Sequence, residues 1–175
     1  MLKKLSTLIL TFLVAIFLPS CGADLQTDSR LAEVAHRARA EAPFGPRTIQ
    51  AFEQLAKYRT SRGWSRAAES AYIDALAAAL EGGGPDDPAV GRLLLAIGTL
   101  YCDRENCPRA RPMFERALEI FEKQEDGSRR EIAKCLEALA RVSRSEGDET
   151  GAAVLGEQAR LLDVSKNSWS LAANR

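Results

Sequence analysis

Four cysteines and one histidine are the residues of this 175-residue chain whose types most readily do chemistry. Cys102 and Cys107 stand five apart. A disulfide needs alpha-carbons within about 7 Å, and a helical turn between two helices can bring them there. Two small semi-buried thiols are the other reading. Zinc would require two further ligands, and none is evident nearby. A thiol oxidoreductase would present Cys-x-x-Cys at a helix start in a strand–helix–strand setting, and neither is present. Cys135 falls on a helical apolar column, where core packing is its default role. Glu33 and His36 have the spacing of half a di-iron site, but the second half does not exist in the sequence. Arg37 and Arg39 beside His36 make it a surface or cap residue. Gly82-Gly83-Gly84-Pro85 lacks the lysine and the preceding strand of a phosphate loop, so it reads as a helix stop and linker. No nucleophile elbow is present. The expectation is a non-catalytic protein with no metal and no cofactor.

Cys21 has a different setting. Lys3 and Lys4 form a short positive segment, followed by an apolar run from Leu5 to Leu18 broken only by Ser6, Thr7 and Thr11. Those 14 residues would span roughly 21 Å as a helix, short of a ~30 Å hydrocarbon core. That length fits an export signal rather than a permanent membrane span. The sequence Leu18-Pro19-Ser20-Cys21-Gly22 then resembles the lipobox of bacterial lipoproteins, with Pro19 in place of the usual small residue. The resemblance implies cleavage before Cys21 and lipidation of its sulfur, and several acyl chains suffice for stable anchoring. The alternative is an ordinary secretory signal with an incidental Cys21. Gly22, where an inner-membrane retention rule would want Asp, implies the outer membrane, facing the periplasm of a bacterial envelope. Residues 22–28 are polar and read as a short tether.

The formal net charge is zero, and removing residues 1–20, with Lys3 and Lys4 and no acid, leaves a slight acidic excess. Nucleic acid, which requires a basic footprint, is not an expected partner. Alanine-rich, aromatic-poor composition favours helices packed closely on helices.

The elements that position everything else follow from a period of 42 residues. Three stretches come into register, 49–90, 91–132 and 133–174. Leu55, Ile97 and Leu139 align, as do Ala56, Gly98 and Ala140. Ala68, Ala110 and Ala152 align, and Ala75, Ala117 and Ala159. Tyr72 and Phe114 align, with Gly156 third. Gly63 and Gly147 align, with Glu105 between them. Within each stretch the apolar positions fall at helical spacing, as in Phe52, Leu55 and Ala56 and then Ala68, Ala71, Tyr72 and Ala75. Each stretch is thus two amphipathic helices around a turn, unable to bury its apolar face alone and obliged to stack. Helices are predicted near 28–42, 47–61, 65–81, 89–103, 107–124, 130–145 and 149–164.

These small and aromatic columns resemble the tetratricopeptide repeat. The 42-residue period, the stretch from Ala110 to Ile120 and the linker Gly84-Pro85-Asp86-Asp87-Pro88 resemble its kinesin-light-chain subtype. The implied fold is all-α, a short right-handed α-solenoid of three helix pairs plus an N-terminal capping helix. The domains are a signal at 1–20, a lipidated tether at 21–28, a capping helix at 29–45, the repeats at 46–164 and a tail at 165–175. The tail, with Trp169, either folds back as a cap near Gly156 or frays.

The resemblance places ligands in a concave groove lined by the first helix of each pair. Mapped by register, that face comprises Gln50, Glu53, Lys57 and Thr60, then Arg92, Leu95, Thr99, Cys102 and Asp103, then Lys134, Glu137, Arg141 and Arg144. Five are basic and three acidic. The implied partner is another protein or peptide, acidic if that excess is used. The plain alternative is a solvated face of mixed charge. The expected role is a membrane-tethered scaffold or assembly factor. An accessory role for a redox-active or regulatory Cys102–Cys107 pair is the second reading.

Overall fold

The computed structural model describes residues 23–124 and 128–172. Cys21 and the apolar run before it lie outside the described residues. Seven helices and no strand occur among those described: α1 at 23–41, α2 Pro46–Ser61, α3 Ser65–Gly83, α4 Pro88–Asp103, α5 Arg111–Glu122 after a 3-10 turn Cys107–Ala110, α6 Arg129–Ser145 and α7 Glu149–Ala172. The pairs α2–α3, α4–α5 and α6–α7 are antiparallel neighbours, and α3–α4 and α5–α6 join each pair to the next. This is a three-pair all-α solenoid with α1 capping its start.

Local chemistry sets the helix ends. Pro46 and Pro88 each occupy a first-turn position, where a missing N–H costs nothing. The Asp87 carboxylate accepts from the Ala89 N–H at 2.6 Å and caps α4. The three turns inside the pairs repeat one hydrogen-bond pattern. Gly63 N–H reaches Thr60 O and Trp64 N–H reaches Arg59 O; Glu105 and Asn106 reach Cys102 and Tyr101; Gly147 and Asp148 reach Arg144 and Ser143. This paired pattern satisfies the last free carbonyls of the helix and requires a left-handed residue. Accordingly φ is 72° at Gly63, 59° at Glu105 and 85° at Gly147.

The register columns are the core. Leu55, Ile97 and Leu139 are buried, as are Ala68, Ala110 and Ala152 and then Ala75, Ala117 and Ala159. Small residues in one column admit large ones in another. A methyl group on Gly98 would lie 2.4 Å from the ring of the fully buried Phe114. One buried cluster joins α1 to α5 around Phe52, Leu55, Leu93 and Ile120. A second holds Cys102, Cys107, Phe114, Leu139 and Val142. Buried Thr48 donates to Ala42 O at 2.7 Å, so its hydroxyl is satisfied.

The structure corrects the sequence at both ends. Residues 23–28, expected to be a tether, are the opening turns of α1. Tertiary contacts hold them: Tyr58 Oη donates to Asp24 O at 2.9 Å, Arg62 pairs with the Asp24 carboxylate, and Arg59 grips Asp28 with Nε at 2.7 Å and Nη2 at 3.0 Å. Polar residues looked like a tether because their partners lie over 30 positions along the chain. At the other end, residues 165–172 continue α7 instead of folding back. Nothing between 157 and 172 is a glycine or proline that would stop the helix. The Trp169 side chain lies outside what is described.

Candidate functional groove

The first helices α2, α4 and α6 together line an open groove of about 390 Å³. Glu53, Lys57 and Thr60 form its wall on α2. Arg92, Leu95, Ala96, Thr99, Leu100 and Asp103 form its floor on α4. Glu131 and Lys134 close it on α6, and Tyr72 reaches in from α3. Positions four apart on a helix share a face, so the register that aligned the apolar columns also aligned these polar ones.

The sequence placed most of this wall. Glu53, Lys57, Thr60, Arg92, Leu95, Thr99, Asp103 and Lys134 line one cavity as expected by register. Others do not join it. Gln50 faces a second cavity of about 360 Å³ between α1 and α2, with Val34, Arg37, Ala38 and Glu41. Cys102 turns into the core beside Phe114 and is bonded to Cys107. Glu137 and Arg144 are exposed and outside the cavity. Arg141 reaches back to Asp103 at 3.0 Å instead of waiting beside Arg144. A joint grip of Arg141 and Arg144 on one acidic group is therefore not preformed. Tyr72, Ala96, Leu100 and Glu131 were missed. Tyr72 belongs to the aromatic column, whose pattern in the sequence marks it as core, and it is buried although it borders the groove.

The electrostatics also differ from the count made by register. Three basic side chains (Lys57, Arg92, Lys134) and three acidic ones (Glu53, Asp103, Glu131) line the cavity, so the lining is balanced. Lys57 Nζ lies 2.5 Å from Glu53, and Asp103 is taken by Arg141. Among the described residues Arg92 and Lys134 have no ion-pair partner. These two cations flank an apolar floor of Leu95, Ala96 and Leu100. Burial raises the pKa of Tyr72, an effect that Thr60 and the Lys57 charge offset in part. The groove can therefore seat an apolar side chain and neutralise a carboxylate beside it.

The remaining chemical candidates are structural. His36 is exposed, with its ring edge-on to Phe52 at 5.8 Å. Glu33 pairs with Arg37 at 2.9 Å. Cys135 is fully buried, and desolvation pushes its thiol up to about 12, far from a reactive thiolate. Among the described residues no cluster of three metal-ligating side chains occurs, and no helix is long and apolar enough to cross a membrane.

A tetratricopeptide repeat family model matches residues 47–123 and again 90–160. No curated protein matches the chain. Among solved structures, BtubC (BKLC) from P. vanneervenii superposes with a TM-score of 0.73 at 22% identity over 83% of this chain. The chain spans 59% of the length of that protein. The nearly identical TPR-like repeats of a Podosopora anserina protein described as a kinesin light chain superpose at 0.65, with 16% identity, covering 85% of this chain and 71% of that one. At these identities the likeness is one of fold.

Proposed function

Because the chain belongs to the tetratricopeptide repeat family, whose repeats bind other proteins and peptides, we propose that it is a lipid-anchored interaction module of the bacterial envelope whose partner docks in the α2–α4–α6 groove. The observation that carries the groove reading is the pair Arg92 and Lys134, without an ion-pair partner among the described residues, beside the apolar floor of Leu95, Ala96 and Leu100. A peptide with an apolar side chain next to an acidic one, or next to its terminal carboxylate, complements that arrangement. Lys57 is paired with Glu53 and Asp103 with Arg141, so the acidic preference rests on Arg92 and Lys134 set against the single carboxylate of Glu131, and not on a general basic stripe.

The register of the repeats supports the export reading. One period before α2 fall residues 4–19, which contain the apolar run. A helix there would have to pack on α1 as α2 packs on α3. In α3, which packs between α2 and α4, Ala68, Ala71, Tyr72, Ala75 and Ala79 are all buried. One period earlier the same positions are Gln26, Ser29, Arg30, Glu33 and Arg37, all exposed. An apolar segment has no socket on such a face. The run from Leu5 to Leu18 therefore suits a membrane better than this domain, as an export signal requires.

An anchor at Cys21 would also fix the geometry. Asp24 is pinned to α2, and three residues of chain reach only about 10 Å. The solenoid would ride directly on the bilayer, its inner turns toward the headgroups. Export into an envelope compartment is consistent with the Cys102–Cys107 disulfide, since such bonds persist where the surroundings are oxidising.

Two measurements test this. Clickable fatty acid should label the wild-type chain and not Cys21→Ser, and equal labelling of both would end the anchor reading. Capture from detergent-solubilised envelope should be lost in the Arg92→Ala, Lys134→Ala double variant, and undiminished capture would remove the groove from the account.

A further inference from the structure

The three turns inside the helix pairs are equivalent in hydrogen bonding and in their left-handed residue, but not in sequence. Two use glycine, Gly63 and Gly147, which adopts positive φ without steric cost. The middle one uses Glu105, whose Cβ opposes that conformation at φ 59°. The middle turn is also the one bracketed by a disulfide. Cys102 occupies the register position of Thr60 and Arg144, and Cys107 that of Ser65 and Glu149, neither of which is a bonded pair. The cross-link thus closes over the one residue that the backbone would otherwise release.

Thr99, Leu100 and Asp103, the last groove residues of α4, sit on the helical turn that the turn's own hydrogen bonds terminate. Glu105 N–H and Asn106 N–H hold the carbonyls of Cys102 and Tyr101 at 3.1 and 3.0 Å. If Glu105 relaxes toward negative φ, both bonds break and the end of α4 frays. The floor of the groove then loses its lower edge and Asp103 leaves Arg141.

We propose that the Cys102–Cys107 disulfide does for the middle turn what glycine does for its neighbours, making the lower edge of the groove sensitive to dithiol reductants. The chemistry is ordinary exchange. A reductant thiolate attacks one sulfur to give a mixed disulfide, and its second thiol displaces the protein sulfur. Cys102 and Cys107 leave as thiols with two electrons and two protons, and the reductant leaves as a cyclic disulfide. The consequence for binding rests on the groove proposed above. The turn itself does not, so the two can fail separately.

The test is amide hydrogen exchange on the full chain in detergent, with and without dithiothreitol, for wild type, Glu105→Gly and the Cys102→Ser, Cys107→Ser double variant. Global melting is not the deciding readout, because removing any cross-link restores entropy to the unfolded chain whatever residue 105 is. Local exchange is decisive. In wild type, reduction should speed exchange across residues 99–106 by about tenfold, the size of a left-handed penalty for a non-glycine residue. The double serine variant should exchange at that faster rate without reductant. Glu105→Gly should stay protected in both states. Unchanged exchange in reduced wild type, or an equal loss of protection in Glu105→Gly, would overturn the proposal.

Discussion

Arg111 binds Glu146 at the place where, one repeat earlier, Glu69 binds Arg104. Residues 69 and 111 are one period apart, and so are 104 and 146. Each pair ties the second helix of one repeat to the end of the first helix of the next. The contact is kept and its charges are exchanged. In the first pair Glu69 also accepts from Tyr101 Oη at 2.6 Å, and this contact raises the Tyr101 pKa. In the second, Glu146 holds the Arg111 guanidinium above its usual range.

Swapped charges at one register position allow an exchange experiment, made in a Glu115→Ala background because Arg111 also pairs with Glu115 at 3.7 Å. Glu146→Arg should place two guanidinium groups together and destabilise the domain, and adding Arg111→Glu should recover much of the loss. The pair is about one-third exposed, so the coupling expected from a double-mutant cycle in urea is small, about 0.5 kcal/mol. A coupling of zero would make the contact incidental.

The same substitution should act with opposite sign at two glycines. Gly98→Ala would drive a methyl group to 2.4 Å from the Phe114 ring, which is fully buried and cannot yield. The expected cost is about 1–3 kcal/mol, more than the helix propensity gained. At Gly156 nothing lies within 4 Å of an added Cβ, so Gly156→Ala in the middle of α7 should stabilise by roughly 0.5–1 kcal/mol. Thermal melts of the two variants, side by side, check both signs.

Cys135 should make the folded state sensitive to alkali. Its thiol pKa is raised in the fold, chiefly by desolvation, from its ordinary 9.0 to about 12. The folded state therefore keeps a proton that the unfolded state gives up. The associated stability is complete below about pH 9 and is lost as pH rises through the folded value. Cys135→Ala should flatten the decline between pH 9 and 11 in denaturant titrations, after allowance for the cavity left by the deleted sulfur. The native thiol should resist alkylation at pH 8 and react once the chain is unfolded.

Groove binding should respond to salt and to Arg141 as well. Arg141→Ala leaves the Asp103 carboxylate without its 3.0 Å partner and returns a negative charge to the groove. Capture of an acidic partner should weaken several-fold and fall further as salt rises, because exposed charges are screened within about a Debye length. Arg144→Ala alone should leave capture unchanged, since Arg144 lies outside the cavity.

The sequence alone determined the helices, their pairing and most of the groove wall. A buried column repeats wherever the same neighbour repeats, so Leu55, Ile97 and Leu139 betrayed the packing before any coordinate did. Positive φ at the turn was legible at Gly63 and Gly147 because glycine marks it. At Glu105 only alignment with those glycines pointed to it, and the local residue type pointed away. Tertiary structure decided what the long polar side chains do. Arg141 and Arg144 share a helix face, but Arg141 turns toward Asp103 because that carboxylate is the charge within reach. Asp24 and Asp28 read as a polar tether until Arg59 and Arg62 arrive from α2 to hold them. Hydrophobic periodicity is written along one helix and can be read there, whereas the partner of a flexible charge is set by whichever opposite charge folding brings near it.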